Sequence, residues 1–561
     1  MEKKNKLIIL GVIILLLVAS GLTFAILTWN STMIKLGINT NCFTINYTKG
    51  NNISGSLKLI NEEDLISNGK FTIKEGVGVS GVNIGIKSTC SIEGYGNILL
   101  NITNISSVFT TGDSKGALKY AVLKNTSTIT DPTQISTTSL LNQSFDIEKK
   151  GSITTSGTLK LLTKQLSNTE LYKYIIVIYV DNNLAGNDVT SATFQGNISA
   201  DAVQGKLDLA KETLNYLNSL NSTITLASGT PDFTTVSGSN GVKYVNYSQS
   251  ATGLGDGTKG IYAAEDDLGT SYYFRGAVDN NYVKFAGLYW RIIRINGDGS
   301  IRMIYAGTSA HANGESEEDS YISKTAYNSS YNDNTYVGYM TGSAGATTYA
   351  SAHSNTNNST IKGVIDDWYK TNIVDKGYSS YVADAIYCND RSIANDSATN
   401  ATLTKISSSW TNTGLGCGTN VTAYGGFKRN FVDHTPSLVC PNNNDKFTTD
   451  STLGNGKLTY PVALLTLDEI AYAGGYAHDY NTNSYIDNKE FYLHTPSYYY
   501  WTLTPWAFAD GNSNVDNWTS AGSLDENDVS YSFGAARAAL SLNSNAITGG
   551  SGTMSDPFTV G

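Results

Sequence analysis

Charge, cysteine and histidine are all scarce in this chain of 561 residues. Asp, Glu, Lys and Arg together make up 15% of it, and the formal net charge is −10. Proteins that bind nucleic acids concentrate Lys and Arg on one face to neutralise phosphates, and the sequence contains no such basic patch. We therefore expect no nucleic acid among its partners.

Catalytic motifs are missing as well. No HExxH sequence or other close pair of histidines occurs, which removes the usual signature of zinc peptidases. His434 and His494 have no nucleophile close to them in sequence, and no two cysteines have CxxC spacing. The sequence therefore predicts a protein without catalytic activity and without a resident cofactor.

The five cysteines fall into two groups, Cys42 with Cys90 near the start and Cys388, Cys417 and Cys440 near the end. We predict the disulfides Cys42–Cys90 and Cys388–Cys440, which leaves Cys417 free. Spacing alone does not determine connectivity. In a reducing environment all five would stay small buried apolar residues.

A long apolar run follows three lysines at the start of the chain. It extends from Leu7 to Leu27, is closed by Trp29 and is long enough to cross a bilayer as a helix. We predict a single-pass anchor over residues 1–29, with the bulk of the chain outside the cell. The alternative is a cleaved signal peptide with its cleavage site near Thr23-Phe24-Ala25.

The rest of the chain is rich in Tyr, of which there are 36, and in Ser, Thr, Asn and Gly, a mixture typical of extracellular β-rich proteins. Short strands separated by Gly, Asn and Asp predict an antiparallel β-sandwich over residues 30–200. Residues 201–239 are expected to be a connector, with a helix beginning near Asp201, capped by Ser199, and then a linker. A second domain with strands and helices is expected over residues 240–561.

The second domain is organised around the stretch Ser271–Tyr305. Apolar strands flank the turn Asn296–Gly299, and both strand faces are apolar, so the pattern predicts a buried β-hairpin. Helices are expected from Thr360 to Trp368 and from the capping box Thr466–Glu469 to Gly474-Gly475. The polar, tyrosine-containing segment His311–Asn358 predicts an inserted surface loop.

Two arginines interrupt the apolar strand of this hairpin. Arg291 and Arg294 are expected to form charge-assisted pairs that hold the core, and Asp366, Asp367 and Asp468 are the candidate partners.

Several motifs in the second domain resemble those of a family of bacterial surface modules. These modules resemble, more distantly, the C-type-lectin-like fold shared by phage receptor-binding tips and formylglycine-generating oxidases. The resemblance implies a C-type-lectin-like α+β domain over residues 240–561. It is carried by Tyr273-Phe-Arg-Gly276, Trp290 to Gly299, Cys388-Asn-Asp-Arg391, Tyr500-Trp-Thr-Leu-Thr-Pro505 and Arg537 to Leu542.

The sandwich resembles camelysin-like matrix proteins at Tyr174–Asn183 and Thr193–Ala200. That resemblance implies an alternative function, a structural matrix protein that assembles through residues 31–200. A third function, the lectin-like oxidase, requires a late pair of cysteines that binds copper. The chain has no cysteine after Cys440, and Cys417 and Cys440 have dissimilar neighbours, so we disfavour it.

An EF-hand-like spacing of oxygen side chains occurs late in the chain. Ser484 replaces the usual turn glycine, and Phe491–His494 resembles a strand instead of an exiting helix. The spacing predicts a calcium site, and the alternative is a solvated loop in an asparagine-rich chain. The candidate ligands are Asp479, Asn481, Asn483, Asp487 and Glu490.

The segment Trp506–Trp518 is predicted to be a loop that exposes aromatic rings among Asn and Asp, a composition typical of recognition loops. In phage receptor-binding proteins of similar fold, the corresponding late segment carries the ligand face. The alternative is that the two tryptophans pack beneath the loop. The candidate ligand-binding residues are Trp506, Phe508, Asp510, Asn512, Asn514, Asp516 and Trp518.

These observations together predict an anchored, adhesin-like surface protein. Residues 30–200 would form its stalk, and the C-terminal domain would bind an extracellular protein or glycan. A second candidate contact region is the tyrosine-rich insertion, with Tyr321, Tyr327, Tyr331, Tyr336 and Tyr339.

Overall fold

The chain forms two compact units, residues 1–207 and residues 208–561, and both consist mainly of β-strands. The predicted mainly-β class with some helix is confirmed. The computed structural model describes residues 26–29, 43–51, 57–88, 94–167, 170–186, 189, 192–204, 207–227, 259–315, 318–412, 414–415, 420–475, 491–522 and 524–561.

The first unit contains one short α-helix, α1 (Glu62–Leu65), in its described part. Its strands are β1 (Ile26–Trp29), β2 (Phe43–Lys49), β3 (Leu59–Ile60), β4 (Ile66–Ser67), β5 (Lys70–Thr72), β6 (Gly78–Ser88), β7 (Gly94–Ile105), β8 (Leu118–Lys124), β9 (Ser144–Ser152), β10 (Gly157–Leu166), β11 (Leu171–Asp181) and β12 (Phe194–Gln204).

These strands form two sheets, in the orders β1-β12-β7-β10 and β2-β6-β11-β8-β9-β5-β4, with β3 parallel to β11. Alternate residues of β11 face two different cores. Ile176 packs in a core with Leu100 of the smaller sheet, whereas Val177 lies in a second core with Phe145. Because both faces of β11 are buried, residues 174–180 form a run without charged side chains.

The predicted membrane-spanning helix is corrected by the structure. Residues 26–29, placed at the end of that helix, form β1, which pairs antiparallel with residues 200–203 of β12. No helix in the described part of the chain is long and apolar enough to cross a membrane, against the predicted single-pass location. Residues 1–25 lie outside the described residues.

The second unit contains six α-helices in its described part: α2 (Leu209–Leu220), α3 (Tyr349–Ala352), α4 (Thr360–Tyr369), α5 (Ser397–Ile406), α6 (Gly425–Phe427) and α7 (Leu467–Ala473). Its strands are β13 (Gly260–Asp266), β14 (Gly269–Arg275), β15 (Tyr282–Phe285), β16 (Leu288–Ile295), β17 (Ile301–Gly307), β18 (Ser323–Lys324), β19 (Met340–Thr341), β20 (Asn357–Asn358), β21 (Val382–Ala383), β22 (Tyr387–Cys388), β23 (Thr411–Asn412), β24 (Asn420–Ala423), β25 (Lys446–Phe447), β26 (Val462–Ala463), β27 (Tyr500–Ala509), β28 (Asn512–Trp518), β29 (Leu524–Asp528), β30 (Ala535–Ala536), β31 (Ala539–Leu542), β32 (Ile547–Gly549) and β33 (Phe558–Val560).

The predicted central hairpin is confirmed. β16 and β17 pair antiparallel across the turn at residues 296–299, where Gly299 has φ +86°, and the pair lies inside a ten-stranded sheet. Trp290 and Ile293, which point to opposite faces, are both buried. Burial on both faces explains why this hairpin carries apolar residues without alternation.

A seven-stranded sheet forms the other half of the second unit, in the order β18-β30-β27-β24-β23 with β28 on β27 and β29 on β28. β27 and β28 are joined by a two-residue turn, Asp510-Gly511, in which both residues have positive φ (+52° and +79°). Such Asp-Gly turns match the twist of an antiparallel pair and are among the favoured hairpin connections.

The helix boundaries agree with the sequence in two of three cases. The capping box of Thr466 and Glu469 is present, and α7 ends at the left-handed Gly474, as predicted. α4 begins at Thr360, capped by Ser359. The connector helix does not begin near Asp201, which lies in β12; α2 begins after its cap Asp208 and belongs to the second unit.

The insertion at residues 311–358 is not simply a surface loop. Tyr327 and Tyr339 are fully buried, and Tyr321 and Tyr336 are half-buried against the core of the second unit. Tyr331 alone of these five tyrosines is exposed. The polar composition of the segment did not show that four of these five tyrosines pack against the core.

Candidate functional site

The predicted ligand-binding segment Trp506–Trp518 is the β27–β28 hairpin and not an exposed loop. The exposed fractions are 2% for Trp506 and 0% for Trp518, and Phe508 is buried too. Trp518 packs edge-on against Phe491, with ring centroids 4.7 Å apart. The prediction of exposed aromatics is therefore wrong here, because strand pairing turns these rings into the core.

The polar candidate residues of this segment differ in how far they are exposed to solvent. Asp510, in the turn, is exposed and accepts a hydrogen bond of 2.9 Å from Nε1 of Trp410, and Asn512 and Asn514 are half-buried. Asp516 is fully buried, and neither of its carboxylate oxygens has a hydrogen-bond partner among the described residues. Asp516 therefore faces an interior that does not compensate a negative charge.

Burial raises the pKa of the Asp516 carboxyl well above its usual range, and the nearby charges of Glu526, Asp468 and Asp525 raise it further. Asp516 lies directly opposite Glu526 in the β28–β29 pair. The Asp516 carboxyl therefore keeps its proton to a higher pH than an exposed aspartate does.

The predicted calcium ligands, Asp479 to Glu490, lie outside the described residues. Among the residues that the structure does describe, no group of three or more His, Cys, Asp or Glu side chains is placed to hold a metal ion. The predicted disulfide Cys388–Cys440 is confirmed, with a Cα–Cα distance of 5.6 Å. The other predicted pair, Cys42–Cys90, also falls outside the described part.

A charged cavity of about 30 Å³ lies between β16, β17 and α7. Arg294 donates to Asp266 at 2.7 Å and to Glu469 at 3.1 Å. Arg429 donates from two nitrogens to Asp468, both at 3.0 Å. The expected core ion pair of Arg294 is thus present, but its partners are Asp266 and Glu469.

Of the remaining charged candidates, Asp367 is exposed on α4. Asp366 pairs at 2.5 Å with the buried Lys362 one helical turn away. Arg291 donates to Asn281 and Asn313 and lies 3.8 Å from the centre of the Tyr282 ring. The ion pairs and hydrogen bonds of these side chains therefore connect the elements of the core. The volume of the charged cavity is suited to one or two water molecules.

The exposed aromatic side chains of the second unit lie elsewhere, in a row that begins in the core. The buried Trp501 contacts the half-buried Tyr499, with ring centroids 5.9 Å apart. Tyr499 stacks on Tyr531 at 5.9 Å, and Tyr531 contacts Phe533 at 5.5 Å. Tyr531 is 46% exposed and Phe533 is 63% exposed. We call Tyr499, Tyr531 and Phe533 the aromatic stack.

Backbone contacts hold the aromatic stack in place. The N–H of Tyr531 donates to the carbonyl of Asp528, and the Asp528 carboxylate accepts from the backbone and side chain of Ser530. The N–H of Ala535 donates to the carbonyl of Tyr499. Gly534 lies so close to Trp501 that a Cβ there would be 2.2 Å from the indole nitrogen. The exposed rings therefore stand on an ordered backbone.

Tyr331, which is 45% exposed, belongs to the same region of the sheet. Its carbonyl accepts from the N–H of Ser513, and the carbonyl of Ser513 accepts from the N–H of Val529, two residues before Tyr531. The insertion and the segment that carries the stack thus flank the same residue of β28.

The arrangement offers rigid apolar contact area surrounded by short polar side chains, Ser530 and Ser532 among them. Exposed aromatic rings with such neighbours supply binding energy at low cost in conformational entropy. One signal could have located them: Tyr531 and Phe533 alternate with serine and end at Gly534, outside any apolar run. A second signal, the Asp510-Gly511 dipeptide, marks the preceding segment as a hairpin.

Comparison of the chain with family models, curated proteins and solved structures found no significant match.

Proposed function

We propose that this is a ligand-binding protein without catalytic activity, and that the aromatic stack of the second unit is its contact surface. The observation that carries the proposal is the 63% exposure of Phe533, a side chain with no polar group, on top of a stack that reaches into the core. Covering an exposed apolar ring with a partner is favourable, by about 25 cal/mol for each Å² of apolar surface that is removed from water.

Preorganisation supports the same function. Tyr531 and Phe533 are held by ring contacts and by the hydrogen-bonded turn at Asp528. Ligand binding would therefore cost little conformational entropy of these side chains. Tyr331 would extend the contact surface on the side of Ser513. These residues replace Trp506–Trp518 as the proposed ligand face.

The partner class is an extracellular protein or a glycan, since aromatic rings with short hydroxyl neighbours suit both. The Cys388–Cys440 disulfide is typical of proteins that function in an oxidising compartment. We include in the proposal a C-type-lectin-like fold for the second unit, which its mixture of sheets and short helices allows.

The test is a glycan and protein array probed with the full chain and with Tyr531→Ser and Phe533→Ser variants. We expect each variant to weaken binding by about 10-fold or more, because aromatic contact residues commonly carry at least about 2 kcal/mol. Met554→Ser is the matched control, since Met554 is 47% exposed and lies away from the stack in sequence. Unchanged binding by both stack variants would refute the proposal.

A further inference from the structure

We propose that Lys119 and Asp181 of the first unit form a covalent amide cross-link, in which Nζ of Lys119 is bonded to Cγ of Asp181 and one water molecule is lost. Lys119 lies in β8 and Asp181 is the last residue of β11, and Nζ lies 2.9 Å from Oδ2 of Asp181. The two residues are 62 positions apart in sequence, so only folding brings them together. This inference does not rest on the aromatic stack, which belongs to the second unit.

The strand register fixes the amine beside the carboxyl group. Lys119 pairs directly with Tyr179, and Asp181 lies two residues further along β11, so the three side chains point to the same face of the sheet. The N–H of Asp181 donates to the carbonyl of Ala117, which holds the end of β11 against β8. Groups held together in this way react as if each were present at about 10⁵ M or more. Such an effective concentration favours an amide that water would disfavour between separate molecules.

Backbone donors surround the other oxygen of the Asp181 carboxyl group. Oδ1 accepts from the N–H of Asn183 at 3.1 Å and from the N–H of Glu62 at 3.4 Å. When an amine attacks the carboxyl carbon, negative charge develops on one oxygen, and fixed backbone N–H groups stabilise that charge. Oδ1 is therefore the oxygen that stays, and Oδ2, beside Lys119, is the oxygen that leaves.

The side chain of Glu62 is placed to move the protons. Its Oε2 accepts from Nζ of Lys119, and its Oε1 accepts from Nζ of Lys150 at 2.9 Å. Glu62 takes a proton from the Lys119 ammonium, the free amine attacks Cγ of Asp181, and Glu62 returns the proton to the departing Oδ2. Nζ keeps one of its three protons, and the other two leave with Oδ2 as water. Atoms and charges therefore balance without an oxidant or a cofactor.

The apolar floor of this site belongs to the second core of the first unit. Tyr179 is fully buried, its ring lies 5.4 Å from that of Phe71, and Leu65 of α1 is buried in the same core. The side chain of Asp181 is 5% exposed and that of Lys119 is 18% exposed. Burial disfavours charged groups, and so it acts in favour of the neutral amine that reacts.

An ordinary network of ion pairs is the competing explanation. Burial raises the pKa of the Glu62 carboxyl, but Lys150 and Lys119 outweigh burial and hold that pKa below its usual range. Burial lowers the pKa of the Lys119 ammonium, but its hydrogen bonds to Glu62 and Asp181 keep that pKa above its usual value. The unreacted groups are thus mostly ionised, and the reaction through the neutral amine is slow. Because amides hydrolyse far more slowly still, the cross-linked form accumulates, and the two explanations predict different masses.

The experiment is intact-mass spectrometry of the full chain after reduction of its disulfide, followed by proteolysis and sequencing of the fragments. We expect the wild-type mass to lie about 18 Da below that of its sequence, the mass of one water molecule, and we expect a branched peptide that joins Lys119 to Asp181. The main variant is Lys119→Arg, since a guanidinium keeps the positive charge but stays protonated and cannot attack. The matched control is Lys150→Arg, because Lys150 contacts the same Glu62.

Lys119→Arg should have the full mass of its own sequence, whereas Lys150→Arg should keep the loss of water. Glu62→Gln should slow the formation of the branched peptide about 100-fold or more, because proton transfer by a positioned carboxyl group commonly contributes that much. Thermal melts would show that each variant is folded.

Three results would overturn the cross-link. The first is a wild-type chain with the full mass of its sequence, which leaves the ion-pair explanation. The second is a loss of water that persists in Lys119→Arg, because aspartate–glycine pairs such as Asp510-Gly511 lose one water when they cyclise to succinimides. The third is a branched peptide that joins Lys150 to Glu62. Equal rates of cross-linking in wild type and Glu62→Gln would overturn the role assigned to Glu62.

Discussion

Two neighbouring segments of the second unit, the hairpin at residues 506–518 and the turn at residues 529–534, have similar compositions and opposite fates. Both place aromatic rings among short polar residues, which are Asn, Asp and Ser in the hairpin and Ser in the turn. Trp518 is fully buried, whereas Phe533 is 63% exposed. The hairpin strand β27 pairs with β24, β28 and β30, while the turn follows the last residue of β29. Composition thus selects candidate recognition residues, and non-local strand pairing decides which of them face water.

The largest expected effect comes from truncating a ring on the buried side of this comparison. Trp518→Ala should lower the free energy of unfolding by about 3–5 kcal/mol, because it leaves a cavity against Phe491. Denaturant titration would measure it. A loss below about 1 kcal/mol would mean that Trp518 does not pack as described.

The insertion at residues 311–358 contains a buried histidine whose titration should affect stability. His353 is fully buried, and burial together with the charge of Arg391 lowers its pKa to about 3. The unfolded chain binds a proton near pH 6.5 that the folded chain does not bind, so stability falls as the pH decreases below 6.5. Between pH 7 and pH 5 the loss should be about 2 kcal/mol.

Replacing His353 by phenylalanine should remove this loss, and urea titrations of both proteins at the two pH values would measure it. An equal pH dependence in the variant would assign the loss to other groups.

The titration of Asp516 should change stability with pH in the opposite direction to that of His353. Its pKa is raised, so the folded chain keeps a proton that the unfolded chain has already released above about pH 3.9. Stability should therefore fall as the pH rises from that value toward the raised pKa. Asp516→Asn removes the titration, and its stability relative to wild type should increase with pH.

The exposed side of the comparison gives the smallest change. Phe533→Ala should alter the free energy of unfolding by less than about 0.5 kcal/mol, because the ring is mostly in water already. The control is Trp518→Ala under the same conditions. A destabilisation as large as that of Trp518 would place Phe533 in the core and remove the contact surface.

Local signals in the sequence identified the parts of the fold that depend on local physics. The turn at residues 296–299 and the capping box Thr466–Glu469 act through neighbouring residues, and both are present. The helix expected near Asp201 failed because β7 pairs with that segment and holds it as a strand, although a cap and helical spacing were available. The cap Asp208, only seven residues later, starts the helix instead.

The candidate site was harder to predict for the same reason. Trp506 and Phe533 are both large aromatic residues, although Trp506 lies between Pro505 and Ala507 and Phe533 between Ser532 and Gly534. Their difference in exposure arises because Phe427 and Trp410, distant in sequence, cover Trp506. The Asp510-Gly511 dipeptide was the one local clue that Trp506 lies in a strand. No single-residue property indicates which side chain a distant helix will cover.

The aromatic row from Trp501 to Phe533 also bears on how this protein can change over time. Its inner end is fixed, since Trp501 is buried and Gly534 lies against its indole. Its outer positions, 531 and 533, contribute little to folding and so tolerate exchange of one side chain for another. Selection can therefore alter what the surface recognises, one residue at a time, while the sheet beneath it stays the same.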